Sequence, residues 1–170
     1  MFLLEVITVL LILNTALFIH ELGHAIPLLL RNKKAKAEIY LGAITKENKL
    51  KLRLGRLTCY LAIAFSGRCV IGNPDELPPA THKQNLLFSA GGPLASLIAF
   101  IALLSCSYFI AGVPGIILNR IAFVSLSVFF FTIIPITYPS FMQNLGGQKS
   151  DGIYILNDFK EMKKEAKAVS

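Results

Sequence analysis

Residues 20 to 24 read His20-Glu21-Leu22-Gly23-His24, inside an apolar run that extends from Phe2 to Leu30. Two histidines four apart share one face of a helix, and both reach a single metal ion. The glutamate between them is placed as a general base beside that metal. The surroundings sharpen the reading. An ionisable side chain at the centre of a membrane span costs about 2.5–3.5 kcal/mol on insertion scales, so three within little more than a turn make a poor anchor. The segment reads as a site, with His20 and His24 as zinc ligands and Glu21 as the catalytic base.

A catalytic zinc takes three protein ligands and keeps one position open. The residues left to supply the third are His82, Asp75, Glu76 and Asp151. Asp151 follows the third apolar run in a Gly-rich stretch that can fold back. Taken alone, it serves equally well as the N-cap of a tail helix. His82 opens the second apolar run and reads first as a surface residue.

The 170 residues are 54% apolar and only 16% charged, with a mean hydropathy of +0.61. The apolar excess is blocky, which excludes an ordinary soluble domain. Three stretches match a ~30 Å hydrocarbon core: about residues 2–30, 85–112 and 116–134. The first opens Met-Phe-Leu-Leu-Glu5 without a basic leader, and it carries the motif, so it does not read as a secretory signal. One membrane-embedded unit over residues 1–170 is expected. Residues 31–82 hold ten Lys/Arg against four Asp/Glu. By the positive-inside rule this basic loop and the tail (residues 139–170) are cytoplasmic and the N-terminus is outside. Charges that flank spans point to anionic lipid as partner, not to nucleic acid. Cys59, Cys69 and Cys106 form no CxxC pair and read as small apolar residues.

The elements that must position the site follow from pattern. Lys49-Leu50-Lys51-Leu52-Arg53-Leu54 alternates strictly, the period of a strand with one basic and one apolar face. Cys59–Phe65 is a second strand candidate, and Lys46-Glu47-Asn48 a turn. A small sheet on the membrane surface within residues 36–70 is expected, either docking on lipid or offering an edge strand to an extended peptide. Gly91-Gly92-Pro93 lies inside the second span, where it is expected to break the helix and admit water. Gly91, Gly92, Pro93 and Ser96 are therefore read as lining the site. The tail from Gly152 to Ala168 reads as an amphipathic helix with Ile153, Leu156, Phe159 and Met162 on one side. The fold class is an α-helical integral membrane protein with three transmembrane helices, a small β-sheet between the first two, and that C-terminal helix.

Depth gives an independent check. His20 lies eleven residues from Arg31, ~16 Å, and Gly92 lies nine from Lys83, ~14 Å, both counted from the cytoplasmic side. Motif and Gly-Gly-Pro thus fall at one level.

These residues together resemble the intramembrane metalloproteases of the site-2 protease family. That family has His-Glu-x-x-His in its first core helix, Gly-Pro in the second and Asp-Gly near the third. Here they are His20-Glu21-Leu22-Gly23-His24, Gly92-Pro93 and Asp151-Gly152, in order across nearly the whole chain. The resemblance implies that Asp151 is the third ligand of one Zn2+ per chain. It also implies hydrolysis of peptide bonds within or near transmembrane segments of membrane-protein or membrane-bound peptide substrates, with Glu21 as base. The chain departs from the family where Ser96 and Thr132 replace frequent asparagines and Ser150 replaces leucine. Those departures motivate an alternative: a non-catalytic zinc-binding membrane scaffold or immunity-type partner. The compact size points to a prokaryotic cell membrane.

Overall fold

The structure, a computed structural model, describes residues 2–169. Helix α1 covers Phe2–Arg31, α2 His82–Phe109 and α3 Val113–Ile133; all three are long and apolar enough to cross a membrane. Polar residues in α1 are satisfied within the helix: Thr8, Asn14 and Thr15 each donate to the carbonyl four residues back. The end of α1 is closed from outside. The Arg56 guanidinium donates to the carbonyls of Leu29, Asn32 and Ala35, which have no partner in the helix itself. Thr81 begins α2 with a reciprocal capping box to Gln84.

The expected break at Gly91-Gly92-Pro93 does not occur: α2 runs unbroken through it. The two glycines act sideways instead. A Cβ on Gly91 would collide with the Gly23 carbonyl, and one on Gly23 would collide with the Gly91 carbonyl. Each glycine therefore turns a Cα hydrogen towards the other's oxygen, a close approach that only small residues allow. Pro27 lacks the N–H that would bond the Gly23 carbonyl, so that oxygen is open to the neighbouring helix.

Between α1 and α2 lies a four-stranded sheet: β1 (Ala37–Leu41), β2 (Leu50–Leu54), β3 (Leu57–Leu61) and β4 (Gly67–Ile71), in the order β2-β3-β1-β4. β1 runs parallel to β3 and antiparallel to β4, while β2 pairs antiparallel with β3. The alternating strand falls where its pattern places it, and the turn before it includes Asn48 at positive φ. The second expected strand is shifted: β3 ends at Leu61, and Ile63 and Phe65 lie exposed beyond it. The reason is that the chain leaves the ladder there, and the Ala64 N–H bonds Asn14 Oδ1 on α1 at 3.0 Å. β1 and β4 were not anticipated.

That Asn14 bond also corrects the sheet's attitude. Arg56, just before β3, caps the end of α1, while Ala64, just after it, reaches Asn14, which is fifteen helical residues or ~22 Å back from Leu29. The sheet thus stands alongside α1 rather than lying as a plate across its end. Its apolar face, with Ala37, Ile39, Leu57, Cys59 and Cys69, packs on Ala25 and Leu28. Its other face carries the stacked rings of Tyr40 and Tyr60, with Lys49 over the first and Lys46 and Lys51 over the second. Cys59 and Cys69 are core residues without a disulfide, and burial pushes both thiols up, which keeps them unreactive.

Helix α4 (Asp151–Val169) packs against α2. The apolar stripe expected of it is split: Met162 is partly buried, whereas Leu156 and Phe159 are exposed.

The Gly23–Gly91 contact makes a direct prediction. Gly23→Val forces α1 and α2 apart and lowers stability by about 2–3 kcal/mol. Thermal unfolding in detergent reads it, and an unchanged melting temperature would refute the close packing.

Candidate active site

His20, Glu21 and His24 are buried in α1, the two histidines on the face that meets α2. Their rings are held from α2. His24 Nδ1 donates to the Phe88 carbonyl at 2.7 Å, and the Phe88 ring packs on the imidazole at 5.1 Å. His20 Nδ1 lies 3.0 Å from Ser96 Oγ, a fully buried hydroxyl. The rings fit because Gly92 has no side chain: a Cβ there would overlap His24 Nε2 and come within 2.7 Å of His20 Cε1. The common depth read from sequence is thus a direct contact.

Asp151 arrives from the other end of the chain. After α3, the segment from Ile134 to Ser150 doubles back through a bridge between Thr137 and Lys149. Tyr138 stacks on Phe131 and donates to its carbonyl. Buried Ser150 locks the return: its hydroxyl donates to the Ile134 carbonyl at 2.7 Å and accepts from the Ile136 N–H at 3.1 Å. Asp151 does not cap α4. The Ser150 carbonyl accepts the N–H of Ile153 and of Tyr154 at the helix start, which frees the Asp151 carboxylate to face α1. Gly152 lets this end press on the Ile133 carbonyl, where a Cβ would collide. Burial pushes the Asp151 carboxyl up, but the facing His20 and His24 imidazoles outweigh it and hold the pKa down at about 2.

Three atoms converge. Asp151 Oδ2 is 3.2 Å from His20 Nε2 and 3.5 Å from His24 Nε2, and the two Nε2 atoms are 3.2 Å apart. Since a carbonyl only accepts, His24 must carry its proton on Nδ1, and its Nε2 presents a lone pair unless the ring is charged. A lone pair facing a carboxylate and a second imidazole nitrogen needs a shared cation, a proton or a metal ion. The spacing fits a metal: donor atoms at about 2.0–2.1 Å from a tetrahedral zinc are about 3.3–3.4 Å apart. Holding each ring from behind by a hydrogen bond is also how metal-binding histidines are oriented. Among the described residues these three form the group able to hold an ion.

The other ligand candidates lie elsewhere. His82 Nδ1 is 3.1 Å from Asp158 and its Nε2 3.8 Å from Glu165, tying α2 to α4. Glu76 accepts from Asn73 and faces Lys36, and Asp75 shares its short 3-10 turn, Pro74–Glu76.

A cavity of about 1120 Å3 opens on the cluster. Its walls come from α1, α2, α3, the α3–α4 segment, the start of α4 and residues 65–69, and Glu21 lines it beside His20, His24 and Asp151. Glu21 rests against β4: a Cβ on Gly67 would come within 2.7 Å of its Oε1, and the Cys69 backbone amide lies against its carboxylate. Gly91, Gly92, Pro93 and Ser96 are not among the lining residues. Ser96 instead holds the outer nitrogen of His20, Gly92 gives both rings room, and Gly91 packs on Gly23. The strand bordering the cavity is likewise β4, an edge strand, whereas the alternating β2 forms the far edge. Sequence reasoning missed β4 because Gly67 and Arg68 interrupt its apolar period. Phe88 acts through its backbone, which no side-chain signal reveals.

Compared with family models and with curated proteins, the chain finds no match. Function is therefore argued from the site.

The lock at Ser150 is testable. Ser150→Ala removes the two hydrogen bonds of the hydroxyl to Ile134 and Ile136, each worth about 0.5–1.5 kcal/mol. Thermal unfolding should report that loss, and a fully stable variant would show that the hydroxyl does not hold the return segment.

Proposed function

We propose that this chain is a zinc-dependent intramembrane endopeptidase of the kind its motifs resemble, the site-2 proteases. The observation that carries the reading is the meeting of His20, His24 and Asp151 in one cavity with Glu21. His20, His24 and Asp151 would hold one zinc ion. When bound, zinc supplies Lewis acidity, polarising a carbonyl and acidifying water. Glu21 takes a proton from the attacking water and passes it to the leaving amine. Its station against Gly67 and Cys69 sets it beside a peptide laid along β4. That edge has main-chain groups to offer, because β4 pairs with β1 alone. A transmembrane substrate must unwind to use it, since helical carbonyls are already hydrogen-bonded.

The three apolar helices support a membrane location. By the charge rule the N-terminus is outside and the basic loop and tail are cytoplasmic, with Lys33 and Lys34 at the end of α1 placed for anionic lipid. The scaffold alternative rests on Ser96 and Thr132. Ser96 is engaged with His20, and the Thr132 hydroxyl bonds the Val128 and Phe129 carbonyls of its own helix. Neither substitution disturbs the three converging atoms.

Elemental analysis of detergent-purified protein should find about one zinc per chain, lost in His24→Ala and Asp151→Ala. Ser96→Ala should keep the site with affinity weakened about 10–100-fold. No zinc in the wild type would sink the reading. Glu21→Gln should retain zinc and lose cleavage of a membrane-embedded peptide; retained cleavage would remove Glu21 from its role.

A further inference from the structure

Two cations line the cavity without a partner. Arg68 stands on β4 and Lys149 on the return segment. Among the described residues neither side chain makes a hydrogen bond or an ion pair. The carboxylates of the cavity are already engaged. Asp158 faces His82, and Glu21 and Asp151 balance the charge of the ion proposed above. What remains is positive charge on a wall that mixes neutral polar residues with apolar ones such as Leu13, Leu17, Val128 and Phe131. Low-dielectric walls concentrate such a field on whatever enters.

The position of Arg68 tells where the complementary charge belongs. Side chains alternate along a strand, and Gly67 and Cys69 face the α1 side where Glu21 sits. Arg68 faces the other side, in register with Tyr40. A peptide added to the free edge of β4 places one residue directly across from Arg68, and its neighbours in the peptide face Glu21. We propose that Arg68, assisted by Lys149, selects substrates with an acidic side chain within about two residues of the scissile bond. The inference rests on the protease reading. A carboxylate suits the planar guanidinium because it accepts two parallel hydrogen bonds. A lipid phosphate is a poorer occupant, since Arg68 lies between residues that touch Glu21, far along α1 from the basic end.

The test measures binding apart from cleavage. Glu21→Gln protein in micelles is titrated with synthetic Leu/Ala transmembrane peptides of about 20 residues. Each contains a central Gly-Pro flanked by either Glu or Gln. The Glu peptide should bind about tenfold or more tightly than the Gln peptide. Arg68→Ala should erase the difference while leaving Gln-peptide affinity unchanged, and Arg68→Lys should restore part of it. Equal affinities in protein with wild-type Arg68 overturn the proposal. So does a preference that persists in Arg68→Ala, or one that disappears only because phosphatidylglycerol occupies the site. Cleavage by the Glu21 enzyme is scored separately: a clear Glu preference with no cleavage keeps the acidic-residue site and refutes the protease reading instead.

Discussion

The structure depends on how closely α1 can approach α2. Gly23 and Gly91 bring two backbones into contact, and Gly92, one residue on, leaves room for two imidazoles between them. With the helices at that separation, the Phe88 carbonyl and the Ser96 hydroxyl reach the outer nitrogens, and both inner nitrogens face the cavity. A wider separation would leave two ionisable rings without partners in an apolar span, which is costly. The prolines share in this. Pro27 frees the Gly23 carbonyl for the crossing, so a residue that usually weakens a helix here serves the contact between two.

The second organising element is the four-stranded sheet. It lies along α1 from the Arg56 cap to Asn14, and an apolar face on the helix fixes its rotation. That rotation aims β4's free edge at the cavity and sets Gly67 against Glu21. Main-chain groups that leave the ladder need partners, and the Ala64–Asn14 bond supplies one in the loop between β3 and β4.

Much of this was legible in the sequence, for identifiable reasons. The three apolar helices, the alternating strand and the His-Glu-x-x-His spacing are local patterns, and local patterns survive folding. The meeting of Gly92 with the histidines was legible because depth in a span can be counted in residues. The role of the Gly-Gly-Pro was misread. A proline in a helix signals a lost hydrogen bond, but sequence does not say whether the helix opens there or merely packs. β4 was hidden because its use lies in an open backbone edge, which leaves no mark on side-chain type. Ser150 was invisible for a similar reason: its partners are the carbonyl of Ile134 and the amide of Ile136, brought near only by the doubling-back.

The placement of Asp151 bears on the order of synthesis. A chain emerging from the ribosome presents His20, Glu21 and His24 long before it presents Asp151, since domains are made from the N-terminus onward. The sheet is local in sequence and can form with α1 and α2 alone. The converging trio cannot: it closes only after α3 has been laid down, the return segment has folded and the first turn of α4 has docked. The chain therefore spends much of its biogenesis with an incomplete set of donors, which only α4 completes.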